Sequence, residues 1–201
     1  MNEKFFNLSI EKQRRIINAA YMVFSENSYK KAPMSEIANA GGISKALLFH
    51  YFTNKKELYM YLWNNAIGET QKTSAMFHVT ETTDFFEMLH RSLLAKCSLM
   101  RKYPYLYSFS VKAFYEQEPD IKESIKNSFQ PVSDHSEEII WNTINFSAFR
   151  NDIDVKLLYQ ELVWLSDGYL RQMTFAGTLE PDRIENEYLR MIEQWKKVYL
   201  K

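Results

Sequence analysis

Glycine and proline are scarce, with five of each in 201 residues. Sandwiches and doubly wound sheets need many tight turns, so a chain this poor in turn formers points to long helices. Cys97 is the single cysteine and can form no internal disulfide, which points to a reducing compartment. No apolar run approaches the roughly 18 residues of a membrane helix. The opening stretch MNEKFFNLSIEKQRR is too short in its apolar runs for a signal peptide. A soluble, cytoplasmic protein is expected. Catalytic constellations are missing too. His50, His78, His90 and His135 show no HExxH-type spacing, and no glycine-rich phosphate loop occurs. Cys97 lies on an apolar stripe, where a thiol is inert. The chain is therefore expected not to be an enzyme and to need no metal or cofactor.

What is present is a globular balance of 46% hydrophobic and 25% charged residues. Net charge is zero, yet residues 1–58 carry nine Lys/Arg against five Asp/Glu, leaving the remainder acidic. A basic head on an acidic body suits one-sided binding to a polyanion. Ser9 can cap a first helix bearing Ile16, Ile17, Ala20, Val23 and Phe24 at helical spacing. Pro33 stands at a favourable first position for a second, which Gly41-Gly42 ends by a left-handed turn. Ser44 can cap a third, Lys45 to Phe52. Asn54 with Glu57 forms a capping box that opens a long fourth.

Short helices joined by a glycine turn and followed by a long helix have the grammar of a helix-turn-helix. Ile37, Ala38, Ile43 and Leu48 face each other across the turn, leaving Ser44, Lys45, Ala46, Leu47 and His50 outward. That set offers a small residue, a cation and mixed groups to base edges. An ordinary helical hairpin with a solvated face has the same pattern.

The stretch from Ser9 to Leu58 resembles the TetR family of one-component regulators. Its core is Ile37-Ala38-x-x-Gly41-Gly42-Ile43-Ser44-Lys45-x-x-Leu48-Phe49-x-Tyr51-Phe52-x-x-Lys55-x-x-Leu58, preceded by Ile17, Ala20 and Phe24. The resemblance implies a homodimer on a palindromic operator, repressing until a small molecule binds the body. It implies DNA contacts from Ser44, Lys45, Ala46, Leu47 and His50, with Tyr51 and Lys55 on phosphates. Three positions depart from the family. Ala32 replaces a capping threonine. Leu47 replaces a small or hydroxylated residue and can touch a thymine methyl or pack on a sugar. Phe49 lacks a phosphate-binding tyrosine's hydroxyl. A ligand-binding or adaptor body whose head has lost DNA affinity is the alternative that Ala32 and Phe49 motivate.

The expected architecture is all-α, about nine helices in two domains. Residues 1–53 form the helix-turn-helix head, and 54–201 a larger ligand-binding and dimerisation body. Asp84 and Glu87 resemble a second capping box before a stripe of Phe86, Leu89, Leu93, Cys97 and Met100. Pro131 is expected to kink or break a later helix. The resemblance implies that the last two helices, from about Asp154 and from Pro181, build a four-helix dimer interface, and their apolar stripes suit that role or the monomer's own core. Tyr103, Tyr107, Phe114, Trp141, Trp164 and Tyr169 are the candidate lining of an effector site. Such a density of rings favours a flat or hydrophobic effector over a sugar or phosphate. Each ring taken singly is more often core than ligand lining.

Overall fold

The structure is a computed structural model that describes residues 3–177 and 179–201. The described residues form ten α-helices and one short 3-10 helix, Phe146–Ala148. The first four helices are α1 (Glu3–Phe6), α2 (Ile10–Glu26), α3 (Met34–Ala40) and α4 (Lys45–Tyr51). Then come α5 (Lys55–Met76), α6 (Phe85–Lys102), α7 (Leu106–Phe114) and α8 (Pro119–Thr143). The last two are α9 (Val155–Phe175) and α10 (Pro181–Tyr199). The architecture is all-α as expected, with α1 as an addition that its short sequence did not announce. Among the described residues no helix is long and apolar enough to cross a membrane.

Capping side chains set the starts of α2, α4, α5, α6 and α9. The Ser9 hydroxyl accepts from the Lys12 amide, and the Asp154 carboxylate from those of Lys156 and Leu157. Asp84 accepts from Glu87 N–H at 2.9 Å, and Asn54 from Glu57 N–H at 2.9 Å. The Glu57 carboxylate reaches back one residue further than a simple box requires, accepting from Thr53 N–H at 2.6 Å. Pro33 takes the cap of α3 rather than its first turn, since the helix begins at Met34. Ala32 is thus a buried residue ahead of the cap. α8 runs unbroken through Pro131.

The chain divides into two compact units along lines other than a cut at residue 53. One contains the stretch up to Glu69 together with Tyr103–Ser133; the other contains Thr70–Lys102 and Asp134–Lys201. The first is centred on fully buried Ala20, Tyr21, Phe24, Leu48, Phe52, Leu62 and Phe109. Its rings meet edge-on or tilted, Tyr21 to Phe109 at 5.1 Å and Phe24 to Tyr59 at 4.8 Å. Burial pushes the Tyr21 phenol far above its ordinary pKa. The hydroxyl keeps partners, donating to the Leu62 carbonyl and accepting from Asn65.

The second unit packs α6 on α10 through buried Phe86, Leu93, Cys97, Met100, Ile184, Tyr188 and Ile192. Arg101 ties the same two helices, reaching Asp182 at 2.6 Å and Glu185 at 2.9 Å. Phe149 stacks on Phe86 at 5.6 Å and pairs with Leu200 in an isolated antiparallel bridge.

Candidate nucleic-acid interface

Backbone geometry dictates the turn between α3 and α4. Gly42 has φ +66°, where a side chain would be strained. The Ile43 amide donates to the Ala38 carbonyl and the Gly42 amide to that of Asn39, the paired bonds of a Schellman motif. Gly41 is right-handed, but a Cβ there would come within 3.1 Å of the Ile37 carbonyl oxygen. Arg15 of α2 donates from Nε to the Gly41 carbonyl at 3.0 Å and staples the turn to the first helix. The α4 cap follows at once, with the Ser44 hydroxyl accepting from Leu47 N–H at 3.1 Å.

With Ile37, Ala38 and Leu48 buried, the opposite face of α4 is left to solvent. Ser44, Lys45, Ala46 and His50 are exposed and Leu47 half-exposed, so these five share one open surface. Phe49 is also exposed, and the Lys45 ammonium sits 6.0 Å from its ring centre. Lys12, Arg14 and Arg15 in the first turns of α2 are exposed as well.

Tyr51 and Lys55, the two residues expected on phosphates, have partners within the chain. Tyr51 is buried, its ring 5.7 Å from that of Phe5. Lys55 donates to the carbonyls of Tyr29 at 3.1 Å and Lys30 at 3.0 Å, with its ammonium over the Tyr29 ring. Desolvation there lowers its pKa. An ammonium has three donors, so one remains for a phosphate. The same loop is held from the other side: Tyr29 N–H donates to Glu116 at 3.0 Å, and Lys30 pairs with Glu118 at 2.7 Å.

The expected effector residues fall in different units. Tyr103, Tyr107 and Phe114 belong to the first, and Trp141, Trp164 and Tyr169 to the second. Tyr103 is core, edge-on to Tyr21. Trp164 is 63% exposed on α9, so the expectation that it is enclosed around a ligand is corrected: it faces outward. Trp141 joins Phe146 and Tyr159 in a small ring cluster with the Lys156 ammonium 5.9 Å above it. Tyr169 donates to Glu187 at 2.7 Å.

An open groove lies along α9 and α10, lined by residues including Leu165, Gly168, Tyr169, Gln172, Arg190 and Trp195. Leu165 of its lining is exposed, and so are Val163, Trp164 and Phe175 elsewhere on α9 and Val198 on α10.

The arrangement of α2 to α4, a stapled glycine turn presenting a short capped helix, defines a helix-turn-helix protein. The family profile described as bacterial regulatory proteins, tetR family, matches residues 16–62. The chain resembles the TetR family over that stretch, which contains its helix-turn-helix. An uncharacterized HTH-type transcriptional regulator YhgD of Bacillus subtilis is 26% identical over 109 residues, 54% of this chain and 54% of that protein. The HTH-type transcriptional activator FasR of Mycolicibacterium smegmatis is 24% identical over 140 residues, 70% of this chain and 64% of its own. The matched stretches thus span less than two thirds of these relatives. Among solved structures, the fatty acid degradation regulator FadR of Bacillus halodurans superposes with TM-score 0.70 at 17% identity, covering 94% of this chain and 95% of that one. FadR of Bacillus subtilis, solved in complex with stearoyl-CoA, has TM-score 0.62 at 18% identity, covering 89% and 96%.

Proposed function

We propose that the chain is a homodimeric, ligand-responsive transcriptional regulator that binds a palindromic operator through α4 and is released from it by an apolar or aromatic small molecule. The observation that carries the reading is the exposed face of α4 on a turn held by Gly42, Arg15 and Ser44. A rigid two-turn helix of this kind fits the major groove. Lys45, Ala46, Leu47 and His50 are the base-edge candidates, with Ser44 at the phosphate side. Tyr51 and Lys55 serve mainly to hold the frame, leaving one Lys55 donor for the backbone.

A second copy is needed because half-sites one helical turn apart require two heads. The exposed apolar row on α9 beside the α9–α10 groove supports that face as the interface. Trp164, Leu165, Gly168, Gln172 and Phe175 follow at helical spacing, and Gly168 leaves open space for a close partner. An acyl chain is the first effector class to try, because a relative in fold carries stearoyl-CoA. Activation is the second reading of the output, favoured by the similarity to FasR.

Selection of binding sites from random DNA tests the proposal, repeated with long-chain acyl-CoA, free fatty acid and flat aromatic compounds. A palindromic selected sequence whose affinity falls at least tenfold with one compound supports it. Absence of any enriched sequence refutes the operator, and unchanged affinity with every compound refutes release.

A further inference from the structure

The short helix α1 lies outside the stretch that the family profile covers. Its residue Phe5 is nevertheless among the largest fully buried side chains of the molecule. The ring stands 5.7 Å from Tyr51, 5.0 Å from Phe52 and 5.6 Å from Tyr61. Phe52 and Tyr61 in turn meet at 5.3 Å. Tyr51 ends α4, Phe52 caps it and Tyr61 belongs to α5. Burial pushes the Tyr61 phenol up to about 12, as the dry surroundings of this cluster require.

We infer that Phe5 is a positioning residue for DNA reading: from α1 it locks the C-terminal end of the recognition helix α4 against α5. The inference rests on α4 being that helix.

A seven-residue helix has no independent stability, so contacts at its two ends set its direction. The N-terminal end is held by the Schellman turn and the Ser44 cap. At the other end Leu48, Tyr51 and Phe52 point inward, and Phe5 covers the last two. α1 is itself fastened. Asn7 N–H donates to the Glu3 carbonyl, and Leu8 N–H to that of Phe5. The Gln13 side chain of α2 donates to the carbonyls of Phe6 at 3.1 Å and Leu8 at 2.8 Å. Position therefore passes from α2 through Gln13 and Phe5 to the far end of α4, a second route besides Arg15 to Gly41. Base-edge hydrogen bonds demand tight placement, whereas attraction to phosphates depends on charge alone. Loosening the far end of α4 should cost discrimination and leave general DNA affinity in place.

The test uses the full-length protein with the selected operator and a random duplex of equal length. Phe5→Ala should lower the ratio of operator to random affinity at least tenfold, about 1.4 kcal/mol. Random-duplex affinity should stay within twofold. Phe5→Leu, which refills most of the space, should restore most of the ratio. Gln13→Ala frees α1 without opening the core and should lower the ratio in the same direction. An unchanged ratio for Phe5→Ala overturns the inference, as does an equal loss on both duplexes that follows the folded fraction by circular dichroism. Should Phe5→Ala not fold, Gln13→Ala decides, and an unchanged ratio there is refuting. A wild-type protein with no preference for any duplex would remove the recognition-helix reading itself, visible before any variant is made.

Discussion

Replacing Lys55 by methionine keeps the stem and removes the ammonium, which separates its two possible duties. Its donors go to Tyr29 and Lys30 carbonyls in the loop that precedes α3, and its charge lies 5.6 Å from the Tyr29 ring centre. Charged hydrogen bonds are worth about 1.5–3 kcal/mol when well shielded. The Lys30 bond is exposed and the Tyr29 bond part-buried, so about 1 kcal/mol at most for each is a fair expectation. The ring contact contributes about 0.5 kcal/mol. The sum is at most about 2.5 kcal/mol, enough to lower the melting temperature by up to roughly 5–10 °C in a chain of this size. If the third donor meets a phosphate, the slope of log affinity against log salt should fall by about 0.9 as well, alike on operator and random duplex. Thermal melting and a salt series on both duplexes measure the two effects independently. A variant that melts with the wild type would refute the clamp. A change in which bases are preferred would refute the assignment of Lys55 to the backbone.

Three further outcomes are expected. Leu165→Glu puts a charge into the exposed α9 row without disturbing the monomer's core, so sedimentation should show monomers with weak operator binding; an intact dimer would move the interface elsewhere. Gly42→Ala forces φ +66° on a side chain that would also lie 3.3 Å from the Arg15 guanidinium, and should cost about 1–2 kcal/mol by urea denaturation. Wild-type stability after that change would mean the turn relaxes freely. Burial pushes the Cys97 thiol up to about 11, so native protein should resist iodoacetamide at pH 8.5 and react fully in urea. The folded state keeps this proton after the unfolded thiol has lost it, so the same group should lower stability as pH rises from the ordinary thiol range towards 11. Rapid labelling of the folded protein would contradict its enclosure.

Much of the fold was legible from consecutive residues. Ser9, Ser44, Asn54, Asp84 and Asp154 are caps because a short oxygen-bearing side chain next to a helical run has a free amide two or three residues on. Gly42 turns the chain because the Schellman bonds need a positive φ at that place. The inward set Ile37, Ala38 and Leu48, and with it the outward set on α4, follows from the 3.6-residue repeat. These are rules of neighbouring residues, and a sequence carries them without help.

Which partner fills each remaining contact was decided only in three dimensions. Lys55 shows as a free cation in sequence and is tied to carbonyls 26 and 25 residues away. Tyr51 is covered because Phe5, from a helix too short to leave a periodic signal, arrives beside it. The six aromatic residues expected around one ligand are divided between units, and Trp164 turns outward. A ring at helical spacing satisfies the same local pattern whether it meets a core, a second subunit or a ligand. Its neighbours come from helices distant in sequence, so the choice belongs to tertiary packing.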